Sequence, residues 1–302
     1  MIQDSLPAQA AQAVGQALEQ MRAQTPALAE VIAALGPLRA AQAALKAGLP
    51  ALEGAMPPAD PARLGQGLPL ADVADFLASP ELDPAAYLER AAAALLPAMA
   101  QGLPALAAGA EALGRILAAE AISARTWLEA LLGGGGEALQ DLARRAGLAP
   151  AALEFILLEL ARPLLERRAE ALAPLLAGQT WPHGACPICG APPEMAFLRG
   201  QEGQRWLRCA RCAHHWRFAR TCCPVCGNQD QDRMEFFFVE GRERERADCC
   251  RQCGRYVLTL DARGQIEPPL WAVAALGLVH LDLLAQEKGL SPAAWTAWNR
   301  LG

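Results

Sequence analysis

The sequence predicts an α+β protein in which an all-α N-terminal domain precedes two tandem zinc-ribbon-type four-cysteine modules and a C-terminal helix. The N-terminal part is rich in alanine and leucine, lacks cysteine and repeats apolar residues at helical spacing, whereas all ten cysteines of the 302-residue chain lie between Cys186 and Cys253. After Pro268 the chain returns to a helix-compatible apolar pattern. The predicted divisions are residues 1–178, 179–266 and 267–302.

One stretch of the N-terminal domain shows the helical pattern most clearly. Its apolar stripe consists of Leu153, Ile156, Leu157 and Leu160, which follow the i, i+3, i+4, i+7 spacing of one helix face. Glu154 and Glu159 lie off that stripe. We expect this amphipathic helix to end or bend near Pro163, because proline removes a helical hydrogen bond.

Other helix ends carry capping signals. Asp83 followed by Pro84 is typical of an N-cap and a first helical position, and Ser123 is a candidate cap for the helix that carries Trp127. The run Gly133 to Gly136 should end that helix. The apolar segment from Ala91 to Ala110 is mostly alanine and is interrupted by prolines and glycines, which favours a packed helix pair over membrane insertion.

Glycine and proline between Gly178 and Gly184 indicate a linker, after which short β-favouring runs alternate with cysteines. The predicted strands are Arg205 to Arg208, Trp216 to Phe218, Met234 to Val239 and Tyr256 to Leu260. Charges alternate in sign from Glu240 to Arg246, which is typical of a solvated hairpin tip. The C-terminal helix, with apolar residues from Leu270 to Ala285, should pack on the ribbon or offer a face to a partner.

Eight of the ten cysteines form four CxxC pairs, which is a metal-binding pattern. Two thiolates on one tight turn converge on a cation, and two such turns complete a tetrahedral sulfur site. We therefore predict two metal ions. The candidate ligands are Cys186, Cys189, Cys209, Cys212, Cys223, Cys226, Cys250 and Cys253.

The spacing favours sequential pairing of the four turns. Nineteen residues separate Cys189 from Cys209 and twenty-three separate Cys226 from Cys250, as in two ribbon modules. Because only ten residues lie between Cys212 and Cys223, an interleaved arrangement in which the first turn joins the third stays open. Short uncrossed connections favour the sequential arrangement.

The surroundings of the cysteines favour metal turns over disulfides. Cys189, Cys226 and Cys253 are each followed by glycine, whose positive φ lets the backbone turn toward the sulfur. The first residues show no secretory leader, so we expect a cytoplasmic protein with reduced thiols. The metal is then either purely structural or a redox-active iron, since four thiolates suit both zinc and iron.

The remaining cysteines and the histidines are weaker candidates. Cys222 and Cys249 each precede a CxxC pair, so either member of each doublet can ligate, although the repeated spacing favours Cys223 and Cys250. We interpret Cys222 and Cys249 as small residues beside the metal turns rather than reactive thiols. We expect no ligand among the histidines, which are His183, His214, His215 and His280.

Charge and motifs exclude several classes of function. Residues 181–266 hold thirteen arginines and ten acidic residues, and two four-thiolate divalent sites would bring that region near neutrality. Residues 1–180 hold twelve basic and nineteen acidic residues, a formal charge of −7. This charge balance provides no strong positive electrostatic potential that would attract the phosphate backbone of a nucleic acid. Because no nucleophile triad, phosphate loop or dinucleotide fingerprint is present, we predict a non-enzyme.

The ordered cysteine motifs resemble those of the formate dehydrogenase accessory protein family, FdhE. The resemblance is carried by the metal domain and the final helix, chiefly by the four CxxC pairs with Trp216 and Arg220 between the second and third pairs, and by Gly254 and Tyr256 after the fourth. It adds little for the helical half.

This resemblance implies a cytoplasmic accessory factor that binds the catalytic subunit of a respiratory formate dehydrogenase and is required for its assembly or activity. It also implies rubredoxin-like iron at the eight CxxC cysteines, with zinc as the other candidate. A nucleic-acid-binding zinc ribbon and a rubredoxin-like electron carrier are the alternative functions, and homodimer formation stays open.

Overall fold

The computed structural model describes residues 2–50, 59–72, 83–119, 124–133, 135–296 and 299. The chain forms two compact units. The described parts of residues 1–58 and 73–171 make up the first unit, and residues 59–72 group with the described residues after 171 in the second. Ser123, the candidate cap, lies outside the described residues.

The first unit is helical, as its alanine- and leucine-rich composition predicts. Its α-helices are α1 (Ile2–Gln24), α2 (Ala29–Ala47), α3 (Pro84–Gly102), α4 (Ala107–Ala119), α5 (Ala124–Leu132), α6 (Glu137–Ala146) and α7 (Pro150–Leu172), with 3-10 turns at Pro26–Leu28 and Pro104–Leu106.

Two of the predicted helix ends are confirmed. The Asp83 side chain accepts a 3.0 Å hydrogen bond from the Ala85 amide, so it caps α3 with Pro84 at the first helical position. Helix α5 ends at Leu132, before the glycine run. The segment from Ala91 to Ala110 is also the predicted helix pair, because α3 ends within it and α4 begins within it, and the two helices contact each other.

Helix α7 passes through Pro163, where the sequence predicts an end or a bend. All four residues of the predicted apolar stripe are buried, but the helix does not end at Pro163 and continues to Leu172. Glu159 lies off the stripe and is nevertheless buried, because Arg39 and Gln42 of α2 hydrogen-bond to it. Tertiary packing covers two faces of this helix, which one apolar stripe does not reveal.

Within the described ranges, one helical stretch, Pro26–Ala47, is long and apolar enough to cross a membrane. It contains Arg39 and Gln42, whose polar side chains are buried against Glu159. These contacts are those of a helix packed in a protein core.

The second unit is built on one mixed sheet. Its strands are β1 (Pro193–Arg199), β2 (Gln204–Cys209), β3 (His215–Arg217), β4 (Met234–Phe237), β5 (Glu245–Cys250), β6 (Arg255–Asp261) and β7 (Ser291–Pro292). Four of them, β2, β3, β4 and β6, match predicted strands. The sequence did not predict β1, β5 or β7, and charged residues and alanines weaken the β signal of β1 and β5. The predicted hairpin tip, Glu240 to Arg246, overlaps β5 at its last two residues.

The sheet is a tandem repeat of two three-stranded modules. Its order is β3-β2-β1-β6-β5-β4, with β7 paired to β6. All pairs within a module are antiparallel, whereas β1 and β6 are parallel where the modules join, with Met195 opposite Leu258. Each module therefore contributes its third, second and first strand in the same direction across the sheet.

Two short helices follow the sheet where one was predicted: α8 (Trp271–Gly277) and α9 (Val279–Glu287), separated at Leu278. They pack on one sheet face around Tyr256 and Leu258, and Trp271 stacks on Phe197 with ring centroids 3.8 Å apart. The buried cluster that joins helices and strands comprises Met195, Ala247, Cys249, Tyr256, Leu258, Ala275, Leu278, Leu281 and Ala285.

A segment distant in sequence covers the first cysteine turn. Residues 59–72 contain a 3-10 helix, Pro61–Gln66, whose first turn is capped by the Asp60 side chain at 2.8 Å from the Ala62 amide. Leu70, which is fully buried, donates a 2.8 Å backbone hydrogen bond to the carbonyl of Pro187. The next amide, of Ala71, donates to Ile188 at 3.3 Å, so the segment lies along the turn.

Candidate metal centres

The first cysteine cluster consists of Cys186, Cys189, Cys209 and Cys212. Its four sulfur atoms lie within 4.8 Å of one another, and three of the Sγ–Sγ distances are 3.5, 3.5 and 3.7 Å. A tetrahedral metal with sulfur ligands at about 2.3 Å places those sulfurs about 3.8 Å apart. The cluster therefore has the dimensions of a four-thiolate metal site.

The second cysteine cluster consists of Cys223, Cys226, Cys250 and Cys253. Its sulfur atoms also lie within 4.8 Å of one another, with Sγ–Sγ distances of 3.8 Å for Cys223–Cys253 and 3.7 Å for Cys226–Cys250. Each cluster takes both of its turns from one module, which is the sequential arrangement that the spacing favours. Two metal ions can be held, one in each cluster.

All four turns share one backbone geometry. The amide after the second cysteine donates to the carbonyl of the first, for example Gly190 to Cys186 at 2.9 Å and Gly227 to Cys223 at 3.0 Å. This closure requires a positive φ, which glycine adopts without strain at three of the turns. The remaining turn, Cys209 to Cys212, has Ala213 at this position, with φ 55°. Ala213 is the one non-glycine residue with positive φ in the described parts of the chain.

The two clusters differ in their access to solvent. Every cysteine of the first cluster is buried. In the second cluster Cys223 and Cys250 are buried, Cys253 is partly exposed and Cys226 is exposed. A metal in the first cluster is therefore enclosed, whereas one in the second has an open side through the Cys226 sulfur.

Burial controls the acidity of the thiols. It raises the pKa of Cys186 and Cys212, so these thiols resist ionisation without a nearby cation. Burial acts in the same direction on Cys209, but hydrogen bonds from the other three thiols outweigh it and hold the pKa of Cys209 well below its usual range. A metal ion would replace the remaining protons, because thiolates are the ligands.

Cys222 and Cys249 lie outside both clusters. The Cys249 side chain is fully buried in the core between the sheet and the C-terminal helices, and burial, with Glu235 and Asp248, raises its pKa to about 12. The thiol of Cys222 lies 3.7 Å from the carbonyl of Cys223 and is partly buried. Neither thiol belongs to a metal cluster, whereas the next cysteine along the chain does in both cases.

Among the described residues, the two groups that can hold a metal consist of cysteines alone and include no histidine nitrogen. His215 packs edge-on against Phe197 and Trp271, and burial, with Arg208, lowers its pKa to about 3. Burial lowers the pKa of His214 to about 4. His280 Nδ1 donates a 3.0 Å hydrogen bond to the Gly277 carbonyl in the helical layer.

The tryptophan and arginine that distinguish the motif pattern line one groove of about 860 Å³ beside β3. The Trp216 indole donates a 3.1 Å hydrogen bond to the carbonyl of His183. Arg220 contacts the carbonyl of Glu202 at 3.4 Å across the β1–β2 hairpin. These two residues thus fix loops around the first module, a long-range role that their spacing alone does not reveal.

Fold and site together define an α+β protein with tandem ribbon modules, each of which gathers four cysteines. This confirms the predicted fold class. Residues 185–220, which contain the first cluster and β1 to β3, match the FdhE central domain. The resemblance of this chain to the FdhE family is thereby confirmed.

Relatives support the same similarity. The chain is 32% identical over 148 residues to the protein FdhE homolog of Aquifex aeolicus, across 47% of this chain and 50% of the relative. It is 32% identical over 114 residues to the FdhE homolog of Stutzerimonas stutzeri, covering 36% of each. The matches thus span half or less of these relatives.

A solved structure shares the fold over most of the chain. The crystal structure of the FdhE protein from Pseudomonas aeruginosa aligns with 97% of this chain and 95% of its own, at a TM-score of 0.54 and 23% sequence identity. At this identity the likeness concerns the fold.

Proposed function

We propose that this protein is a cytoplasmic accessory or maturation factor that binds the catalytic subunit of a respiratory formate dehydrogenase and is needed for its assembly or activity. The observation that carries the proposal is the match of residues 185–220 to the FdhE central domain. That segment holds a complete cysteine cluster and one strand module, so the similarity includes one of the two candidate metal sites.

The eight clustered cysteines would hold two metal ions, and the family resemblance favours iron over zinc. Four thiolates complete a tetrahedral shell, which leaves no position for a substrate on the metal. This donor set suits a structural or electron-transferring centre, and it supports a role without turnover. The cysteine turns join β-strands too short to form a stable core alone, so metal binding would stabilise the whole ribbon.

Capture of the client from the native host tests this function. The full chain, purified anaerobically after growth with formate dehydrogenase induced, should retain the catalytic subunit of that enzyme. Cys223→Ser should lose the client together with one equivalent of metal, because it opens the second cluster. Cys222→Ser is the matched control, because the Cys222 thiol is adjacent in sequence but lies outside the cluster. This variant should retain both the client and the metal.

Two results would contradict the proposal. One is a metal-loaded protein that captures no formate dehydrogenase subunit. The other is formate dehydrogenase activity that is unchanged when the chain is deleted from the host.

A second candidate function is electron transfer, and the exposure of Cys226 favours it. An iron ion in the second cluster would be separated from solvent by one exposed sulfur, which shortens the path for an electron. Reversible oxidation of the iron-loaded protein at a rate that supports turnover is required. A colourless, zinc-only protein from iron-replete cells would exclude this function.

A further inference from the structure

A buried arginine of the first module contacts the residue that directly precedes the second cysteine cluster. Arg205 lies on β2 and is 2% exposed. Its Nη1 donates a 3.1 Å hydrogen bond to the carbonyl of Cys222, the residue directly before the cluster member Cys223. Strands β1 and β6 separate β2 from β5 in the sheet, so this side chain crosses the junction between the two modules.

Arg205 and its immediate partners together carry a net positive charge. Asp248 of β5 lies 3.6 Å from Nη2 of Arg205, and the same carboxylate lies 2.8 Å from Nε of Arg246 and accepts a 2.7 Å bond from Thr259. Two guanidinium groups thus share one carboxylate, which leaves an excess of one positive charge. Water stabilises the charge of the buried Arg205 side chain poorly, which favours a further anionic partner for it.

The hydrogen-bonding capacity of Arg205 is also incompletely used. Among the residues that the structure describes, its Nε and Nη2 atoms find no hydrogen-bond acceptor. Burial lowers the pKa of Arg205, whereas the Asp248 carboxylate opposes that effect. The burial of Arg205 and its two unused donor atoms therefore favour a further negative charge near its guanidinium group.

The second cluster would supply that charge once it holds a metal. Four thiolates around a divalent ion carry a net charge of −2, which a low-dielectric setting must compensate. We propose that Arg205 is a positioning residue for the second metal site: it fixes the Cys222–Cys223 turn through the Cys222 carbonyl and supplies the compensating positive charge from the other module. The proposal rests on metal binding at the second cluster, and the identity of the client does not enter it.

A positive charge beside such a site has two measurable effects. It stabilises the thiolates, so metal is released more slowly, and it stabilises ferrous over ferric iron, because the reduced site carries one more negative charge. Removing Arg205 should therefore speed metal release and lower the reduction potential. Removing the Asp248 charge should raise that potential.

The test uses the full chain in two metal forms. Zinc release to a chromogenic chelator, 4-(2-pyridylazo)resorcinol, measures metal retention, and a mediated redox titration of the iron form measures the potentials. Arg205→Gln keeps a donor for the Cys222 carbonyl but removes the charge. It should accelerate release from the second cluster about tenfold, the low end for a residue that supports metal ligands. Arg205→Lys should restore most of the retention.

Asp248→Asn separates electrostatics from structural damage, because it should shift the second potential upward while Arg205→Gln shifts it downward. The first cluster is an internal reference whose potential should stay constant, and Arg217→Gln on the exposed part of β3 should change neither quantity. Potential shifts of the same sign, or unchanged release in Arg205→Gln, would overturn the proposal. A parent protein that holds no metal in the second cluster would overturn it as well, whereas failure to capture a client with these shifts intact would count only against the proposed function.

Discussion

The hydroxyl of Tyr256 donates a 2.6 Å hydrogen bond to the carboxylate of Asp282, and both side chains are buried. Tyr256 lies on β6 of the second module and Asp282 on α9, so this bond ties the sheet to the C-terminal helices. The same carboxylate accepts bonds from Gln286 at 2.8 Å and Asn299 at 3.3 Å. Burial, the largest effect, raises the pKa of Asp282 even though these donors oppose it.

Replacement of Tyr256 by phenylalanine should destabilise the second unit by about 1–3 kcal/mol, because the buried carboxylate loses a donor. The shift in the urea unfolding midpoint of the metal-loaded protein measures the loss. Asp282→Asn in the same background should recover part of it, since an amide needs less compensation than a carboxylate. Equal stability of the parent and Tyr256→Phe would show that Gln286 and Asn299 suffice.

Glu159 makes the stability of the first unit depend on pH, and its pKa is shifted in the direction opposite to that of Asp282. Burial raises its pKa, but Arg162, Arg39 and the hydrogen bonds around it outweigh burial and lower the pKa to about 2, against 4.5 for an exposed glutamate. A carboxyl with a depressed folded pKa stabilises the fold above its unfolded pKa and loses that contribution as pH falls toward 2.

Glu159→Gln should therefore cost about 3 kcal/mol at neutral pH, because it leaves the buried Arg39 without its anion. It should also flatten the loss of stability between about pH 5 and pH 2. Thermal unfolding of the first unit followed by circular dichroism checks both. Glu170→Gln, at a half-exposed ion pair, is the control and should change little.

The unequal exposure of the clusters predicts two rates of metal loss. A chelator should remove one equivalent quickly from the second cluster, through the open side at Cys226, and a second equivalent slowly from the first. Absorbance of the metal–chelator complex records both phases. Release of both equivalents in a single phase would show that one opening event exposes the two sites together.

The cysteine turn that ends at Ala213 offers a stabilising substitution. Ala213 adopts a left-handed conformation that costs about 1–2 kcal/mol for an L-residue, so Ala213→Gly should stabilise the turn by about 0.5–1 kcal/mol after the entropy of unfolded glycine is counted. Gly254→Ala is the reverse experiment, because its φ is 68° and the space around a Cβ there is open. It should destabilise by a similar amount, and thermal midpoints compare the two.

Serine substitutions resolve which member of each cysteine doublet ligates. Cys250→Ser should lower the metal content by one equivalent, because its sulfur lies in the second cluster. Cys249→Ser should keep the metal. Its free energy of unfolding should instead fall by about 1–3 kcal/mol, because the serine hydroxyl would be buried in an apolar core. Elemental analysis and urea unfolding of both variants distinguish the two roles.

Local patterns in the sequence anticipated the features that depend on neighbours along the chain. The CxxC spacing, with glycine after three turns, identified the eight sulfurs that the structure gathers, and Asp83 with Pro84 marked a helix start. Features that depend on residues distant in sequence were not predicted. Glu159 is buried because α2 faces it, and the first turn is covered by Leu70, more than one hundred residues before the turn. Strand β5 forms because both its neighbours supply ladder partners, although its own residues favour strands weakly.

The parallel junction of β1 and β6 gives the sheet a direction. Two ribbons related by a twofold axis would present identical outer edges, whereas two ribbons related by a shift present unlike ones. One rim is the first module's last strand, and the other is the second module's first strand, where Phe236 and Phe238 stack in solvent. The two rims of the sheet therefore offer unlike surfaces, and a protein that bound one rim would not bind the other in the same way.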